Sequence, residues 1–282
     1  MTAIAYLGTG LLGSAFVEAA LARGDTVSVW NRTAAKAAAL TKFGATLAAT
    51  PSEAVRGAER VHLVLRDDAV VDQVIEQFRG ALARHAIIVD HTTTQPALTA
   101  ARCERLATLG VRYLHCPVFI GPSMARQALG SILVSGPRVL FEAVKPALEQ
   151  QAARVEYMGE RSDLAAVYKL CGNGLLIGVA GAVADMYAIA QGADVAAPDA
   201  AHIFDFFNFN TVVGGRGKAM AERKFAPASF ELDMARKDVR LMLETAATPM
   251  SVLPGIAARM DALIASGHGA DDLAVIARES VK

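Results

Sequence analysis

The 282-residue chain predicts an α/β fold: a doubly wound, mainly parallel sheet, then an all-helical C-terminal domain linked by a long helix. Three observations carry this expectation. A Gly-x-Gly-x-x-Gly turn joins the first strand pattern to the first helix pattern. Short β-rich runs alternate with helical stretches up to about residue 160, which implies parallel strands with helices on both faces. Beyond that point strand signals fade and one uninterrupted helical pattern opens a series of helices. The expected domains are residues 1–161 and 162–282.

The elements follow in order. Ala3-Ile4-Ala5-Tyr6-Leu7 reads as a buried strand, and Gly8-Thr9-Gly10-Leu11-Leu12-Gly13 turns from it into an Ala-rich helix over 14–23. In that setting Gly8 permits the tight turn, Gly10 lets a pyrophosphate approach the backbone, and Gly13 lets helix and strand pack closely. The free N–H groups at the helix start, with the helix dipole, favour an anion. Gly24-Asp25 ends that helix, 26–30 is a second strand, and 34–43 is a helix closed by Gly44. Strand 61–65 leads through Arg66-Asp67-Asp68 into helix 69–78. Strand 86–90 precedes a Thr-rich loop and a helix from Pro96, where proline suits the first turn. Strands 111–115, 131–135 and 154–157 follow, with helix 139–150 between the last two. Helical patterns at 162–191, 198–207, 212–223, 232–245, 252–266 and 271–278 complete the chain.

Composition excludes several classes. Lys+Arg and Asp+Glu both total 28, so nothing in the net charge calls for nucleic acid or a membrane surface. Cys103, Cys116 and Cys171 have neither metal nor disulfide spacing and read as buried free thiols of a reducing compartment. The first seventeen residues are uncharged, but they lack a basic start and are broken by glycines, unlike a signal peptide. The longest uncharged helical run, 170–184, falls short of the roughly 20 residues that cross a bilayer. The expectation is a soluble cytoplasmic protein acting on a small molecule, without metal. His62, His85, His115 and His202 show no metal spacing, and His91 is a substrate candidate by adjacency to Thr92. Gly214-Gly215-Arg216-Gly217-Lys218 echoes a phosphate loop but lacks its strand and Ser/Thr, and reads as a helix-capping loop.

The second strand selects the nucleotide. NAD-binding folds place an acid at its end, on the ribose 2′-hydroxyl. Here Asn31-Arg32-Thr33 follows Trp30, with Lys36 one turn on, and no carboxylate is present. Arg32 offers a permanently charged fork suited to a phosphate, so NADP(H) is the expected cofactor; the alternative is a solvated loop arginine. Leu65 and Arg66, at the end of the next parallel strand, are further cofactor-side candidates.

Two later stretches hold the candidate chemistry. Asp90-His91-Thr92-Thr93-Thr94-Gln95-Pro96 ends a strand where ligands of such sheets sit. Its hydroxyls can hold a carboxamide or a substrate oxygen, or Asp90 and the threonines can simply cap the next helix. Lys169 and Asn173 share a helix face by i, i+4 spacing, among Val167, Leu170, Leu175 and Leu176. Apolar surroundings disfavour the charged amine and lower its pKa, fitting it for proton transfer; a lysine snorkelling to solvent is the bland alternative.

Taken together, Gly8-x-Gly10-x-x-Gly13, Val29-Trp30-Asn31-Arg32-Thr33, Asp90-x-Thr92-Thr93-x-x-Pro96, Lys169-x-x-x-Asn173 and Lys237-Asp238 occur in the order and spacing of the β-hydroxyacid dehydrogenases, which this chain resembles over essentially its whole length. That family includes 3-hydroxyisobutyrate dehydrogenase and the glyoxylate/succinic semialdehyde reductases, with the 6-phosphogluconate dehydrogenase type of cofactor domain. The resemblance implies a Rossmann domain plus a helical domain, assembled as a homodimer or homotetramer. It implies Lys169 as general acid/base, Asn173 as a substrate ligand, Thr92 and Thr93 against nicotinamide and substrate, and Lys237 on the cofactor side of the cleft. The expected activity is NADP(H)-dependent oxidoreduction of a semialdehyde or β-hydroxyacid, or of a larger apolar substrate.

The chain departs from the family at its substrate loop, where Ala-Pro-Val-Ser-Gly-Gly is replaced by Cys116-Pro117-Val118-Phe119-Ile120-Gly121. The serine hydroxyl is gone, and Phe119 and Ile120 replace small residues, so Phe119, Ile120 and Gly121 are the candidates for altered substrate binding. Gly172 stands where the family often has asparagine. The cluster Phe204, Phe206, Phe207 and Phe209 reads as packing or as the lining of an enlarged apolar pocket. The altered loop also resembles that of the related imine reductases, which usually carry Asp or Tyr in place of Lys169. An imine reductase-like enzyme and a non-catalytic NADP(H)-binding sensor are the alternatives.

Overall fold

The computed structural model describes residues 2–282. They form two units, 2–173 and 174–282, whose boundary falls inside one helix.

The first unit is built on a nine-stranded sheet. Its strands are β1 (Ala3–Leu7), β2 (Thr26–Trp30), β3 (Thr46–Leu47), β4 (Arg60–Leu63), β5 (Ile87–Asp90), β6 (Arg112–His115), β7 (Val118–Phe119), β8 (Ser131–Ser135) and β9 (Arg154–Gly159). The order is β3-β2-β1-β4-β5-β6-β8-β7, with β9 pairing β8. Pairing is parallel from β3 through β6, and β8 runs antiparallel to both β6 and β7. The order reverses between β1 and β4, the switch point beside which such sheets bind dinucleotides. Alternation along β1 feeds two cores: Ile4 and Tyr6 join one, Ala5 and Leu7 the other. Burial on both faces is what a parallel sheet covered by helices requires.

Seven helices surround this sheet: α1 (Leu11–Ala22), α2 (Ala34–Ala38), α3 (Pro51–Ala54), α4 (Asp68–Phe78), α5 (Pro96–Thr108), α6 (Pro122–Arg126) and α7 (Arg138–Leu148). The expected helix 34–43 breaks into α2 and a short 3₁₀ turn, which Gly44 ends at φ 103°. Short β3, α3, β7 and α6 carry too few residues for a periodic signal and are absent from the sequence reading.

The long helix α8 (Leu164–Gly192) begins in the first unit and ends in the second. Its start is tied to β8, where Ser135 Oγ donates to Ser162 O (2.6 Å) and accepts from Ala165 N–H (3.2 Å). This anchoring, with Ala165 and Ala166 buried, keeps the first turns of α8 in the sheet unit, so the division falls after Asn173 rather than at 161/162.

The second unit continues with α9 (Ala197–Ala201), α10 (Ile203–Phe206), α11 (Phe209–Ala221), α12 (Leu232–Thr245) and α13 (Leu253–Ala265). Its core is formed by Leu232, Ala235, Val239, Ala257, Met260, Leu263 and Val275. Asp185 of α8 caps α13, accepting from the backbone N–H groups of Ser251, Val252 and Leu253 at 2.6–2.9 Å. The stretch 214–218 lies inside α11 and is therefore neither a phosphate loop nor a capping loop. The 29-residue α8 is long and apolar enough to cross a bilayer, unlike the shorter run expected, and only 11% of its most apolar window is buried. The four phenylalanines are no core: Phe206 is 72% exposed, and Phe204, Phe207 and Phe209 line an apolar cavity of about 370 Å³ with residues of α8.

Candidate active site

The glycine turn at the end of β1 is built as its spacing requires. Gly8 has φ +99°, and a Cβ there would meet Val64 O at 2.2 Å. A Cβ on Gly13 would lie 2.0 Å from Gly8 O, so helix and turn approach only because it is absent. A Cβ on Gly10 would meet nothing within 4 Å, which leaves the backbone open to a ligand. No side chain caps the N-terminus of α1, and Leu11 in its first turn is 84% exposed. Four backbone N–H groups of a helix start lack partners in the helix itself, which suits a pyrophosphate. Thr9 Oγ1 is buried without a partner.

Asn31 braces this turn from β2. Its Oδ1 accepts from Thr9 N–H (3.1 Å), and its Nδ2 donates to Thr33 O (3.0 Å). A cavity of about 500 Å³ opens beside it, lined by Gly8, Gly10, Asn31, Arg32, Thr33, Lys36, Leu65 and Arg66 among others. No carboxylate lines it. Arg66 bonds to Asp67 (2.6 Å), whereas Arg32 and Lys36 enter no ion pair among the described residues. An anionic dinucleotide fits this set of donors.

A second cavity, of about 340 Å³, adjoins the same turn. It gathers Gly10, Leu11, Leu12 and Gly13, Leu65 and Arg66, His91, Thr92 and Thr93, Val118, Ile120 and Lys169. The expected cofactor turn, hydroxyl pair and lysine thus converge. Thr92 Oγ1 accepts from Leu65 N–H (3.1 Å), which leaves its own proton to donate. Asp90 does not cap the following helix. Its Oδ1 accepts from Thr92 N–H (2.9 Å) and its Oδ2 from Tyr113 O–H (2.7 Å), while Gln95 caps α5.

His62, His91 and His115 are structural supports of this loop. His91 Nδ1 lies 2.8 Å from Cys116 O, which can only accept, so Nδ1 carries the proton. His91 Nε2 therefore accepts, and His62 Nδ1, 3.0 Å away, donates to it. Burial pushes His91 down to about 4 and His62 well below its ordinary value, so both are neutral near pH 7. His115 Nε2 reaches Thr92 O and Thr94 Oγ1, each at 3.0 Å. Sequence reasoning missed this triple support because its members lie on three different strand ends.

Lys169 is 8% exposed. Its Nζ donates to Val118 O (2.7 Å) and Asn173 Oδ1 (3.0 Å), and stands 4.3 Å from the centroid of the Phe119 ring. Burial lowers its pKa below the ordinary lysine value. The residues that bury it differ from those expected. Leu170, Leu175 and Leu176 are exposed, and the cover comes from Val118 and Phe119 of the substrate loop. Cys171 is exposed rather than a buried thiol. Ile120 lines the cavity and Gly121 precedes α6. Lys237 lies in the second unit on α12, paired with its neighbour Asp238 at 2.9 Å.

A glycine-turn cradle at a sheet switch point, beside a buried lysine and a threonine pair, defines a dinucleotide-dependent oxidoreductase. The chain belongs to the family described as the NAD binding domain of 6-phosphogluconate dehydrogenase, matched over residues 3–159, and is an NAD(P)-binding oxidoreductase of the β-hydroxyacid dehydrogenase and imine reductase group. It is 29% identical over 254 residues to an uncharacterized oxidoreductase of Bacillus subtilis, covering 89% of each chain. It is 26% identical to glyoxylate/succinic semialdehyde reductase 1 of Arabidopsis thaliana, over 85% of this chain and 84% of that one. Among solved structures it superimposes on an imine reductase of Streptomyces aurantiacus with a TM-score of 0.90, at 25% identity and full coverage of both chains.

Proposed function

We propose that the protein is an NADP(H)-dependent dehydrogenase or reductase acting at a carbonyl/alcohol carbon, with Lys169 as general acid/base. The observation that carries this reading is the buried ammonium of Lys169 in one cavity with Gly10, Thr92 and Thr93. When bound, the nicotinamide supplies or accepts the hydride. Lys169 delivers a proton to the carbonyl oxygen in reduction and takes it from the hydroxyl in oxidation. Its lowered pKa brings that exchange closer to neutral pH. Thr92 donates its hydroxyl proton to the same oxygen or to the carboxamide, and Asn173 holds Lys169 in place. Arg32, Thr33 and Lys36 hold the 2′-phosphate, and the start of α1 holds the pyrophosphate.

An NADPH-oxidation and NADP-reduction screen over semialdehydes, glyoxylate, β-hydroxyacids and cyclic imines tests this reading. Turnover of a carbonyl or alcohol is expected. Turnover of imines alone would favour the imine reductase alternative, to which the overlay with a solved imine reductase lends weight. Tight NADPH binding without any turnover would favour a sensor.

The exposed apolar side of α8 calls for a cover. Leu175, Leu176 and Ile177 are each about two-thirds exposed, and exposed apolar clusters on a helix mark interaction surfaces. We assign that cover to a second copy of the chain, making a homodimer or a homotetramer of such dimers. Ile177→Glu is expected to shift the mass measured by sedimentation from a multiple of 29.6 kDa to a single chain. A monomeric wild-type protein would refute the assignment.

A further inference from the structure

We propose that Phe119, seated on Gly172, selects uncharged carbonyl substrates and turns away carboxylates. This rests on Lys169 being the proton-transfer group. An ammonium has three N–H donors and no acceptor. Two of those on Lys169 are spent on Val118 O and Asn173 Oδ1, and the Phe119 ring covers the ammonium at 4.3 Å. The ring can lie there only because position 172 has no side chain. A Cβ on Gly172 would come within 2.3 Å of Phe119 Cζ and 2.7 Å of Cε1. Gly172 stands three residues after Lys169, on the same face of α8, so one helix face presents both the cation and the slot for its aromatic cover.

A substrate carboxylate would need a cation or a cluster of hydrogen-bond donors to replace its lost hydration, and the loop positions Phe119 and Ile120 carry no side-chain donor. Around this cavity the first unit offers two cations, Lys169 and Arg66. Lys169 is already bonded and covered, and Arg66 is exposed and paired with Asp67. The walls that remain include Leu12, Val64, Val118 and Ile120. A carbonyl oxygen makes a smaller demand. The free proton of Thr92 and the one N–H of Lys169 that Val118 O and Asn173 Oδ1 leave unspent satisfy it, and the carbonyl carries no charge that needs a counter-ion. The departure at Phe119 and the glycine at 172 are thus one device.

The test compares succinic semialdehyde with its methyl ester, a pair differing in charge, using NADPH and the full chain. The wild-type protein is expected to favour the ester by at least about tenfold in kcat/KM, equivalent to about 1.4 kcal/mol. Phe119→Ser should narrow the preference by a similar factor with the KM for NADPH unchanged. Gly172→Ala, which pushes the ring aside, should shift it the same way. Equal wild-type turnover of acid and ester, or a preference unmoved in Phe119→Ser, would overturn the proposal. Absence of turnover on both would count against Lys169 chemistry instead. Calorimetric titration of the NADPH-loaded protein with butyrate and butyramide then decides the charge preference on its own: tighter binding of the amide supports it, and tighter binding of butyrate refutes it.

Discussion

Lys169→Ala is expected to lower kcat by about 10²–10⁴-fold, the usual worth of a positioned acid/base, and to leave NADPH binding largely intact. Lys169 is not part of the wall that holds Arg32 and Lys36, so its loss should be read in kcat and not in the KM for the cofactor. The pH profile gives a second readout. Reduction needs the protonated ammonium, so its rate should fall as pH rises through the lysine pKa. Oxidation needs the free amine and should rise through the same value. Burial places that value below the ordinary lysine range, so both limbs should lie at lower pH than an ordinary lysine would give. Lys169→Arg should lose the limbs, because a guanidinium does not deprotonate in proteins. Unchanged turnover in Lys169→Ala, or unchanged limbs in Lys169→Arg, would remove this residue from the chemistry.

Arg32→Ser combined with Lys36→Ala is expected to lower kcat/KM for NADPH by about 10–100-fold and to leave that for NADH nearly unchanged. A hydrogen bond to a charged group is worth about 1.5–3 kcal/mol, and each 1.4 kcal/mol is a factor of ten. Both side chains face open water, so the effect belongs at the lower end, and added salt should weaken the wild-type preference for NADPH. Steady-state kinetics with both cofactors at two ionic strengths checks it. A wild-type protein that prefers NADH would exclude Arg32 from phosphate binding.

The cofactor half of the site was legible because its determinants are local. Gly8, Gly10 and Gly13 act within one turn of chain, and the missing Cβ atoms have the consequences their spacing implies. Asn31 and Arg32 follow a strand whose limits, Thr26–Trp30, are those read from its pattern. The Pro96 helix start and α12 were equally plain, one from proline chemistry and the other from its apolar periodicity. The two-residue strands β3 and β7 and the one-turn helices α3 and α6 escaped because no period can be counted over so few positions.

What buries Lys169 lay beyond that reach. Periodicity placed Lys169 and Asn173 on one helix face, and their hydrogen bond follows from it. The same reasoning surrounded the lysine with its helical neighbours Leu170, Leu175 and Leu176, which are in fact exposed. Its true cover comes from Val118, 51 residues away, and from Phe119 in the gap that Gly172 leaves. The histidine supports of the threonine loop are non-local in the same way, since His62, His91 and His115 meet only when their parallel strands pair. The sequence by itself determined the glycine turn, the carboxylate-free stretch after β2 and the pairing of Lys169 with Asn173, because each depends on backbone geometry within a few residues. Only the tertiary structure decided the dielectric surroundings of Lys169 and the face left open to substrate, because burial is a property of segments brought together by folding and is not written in the spacing of any one of them.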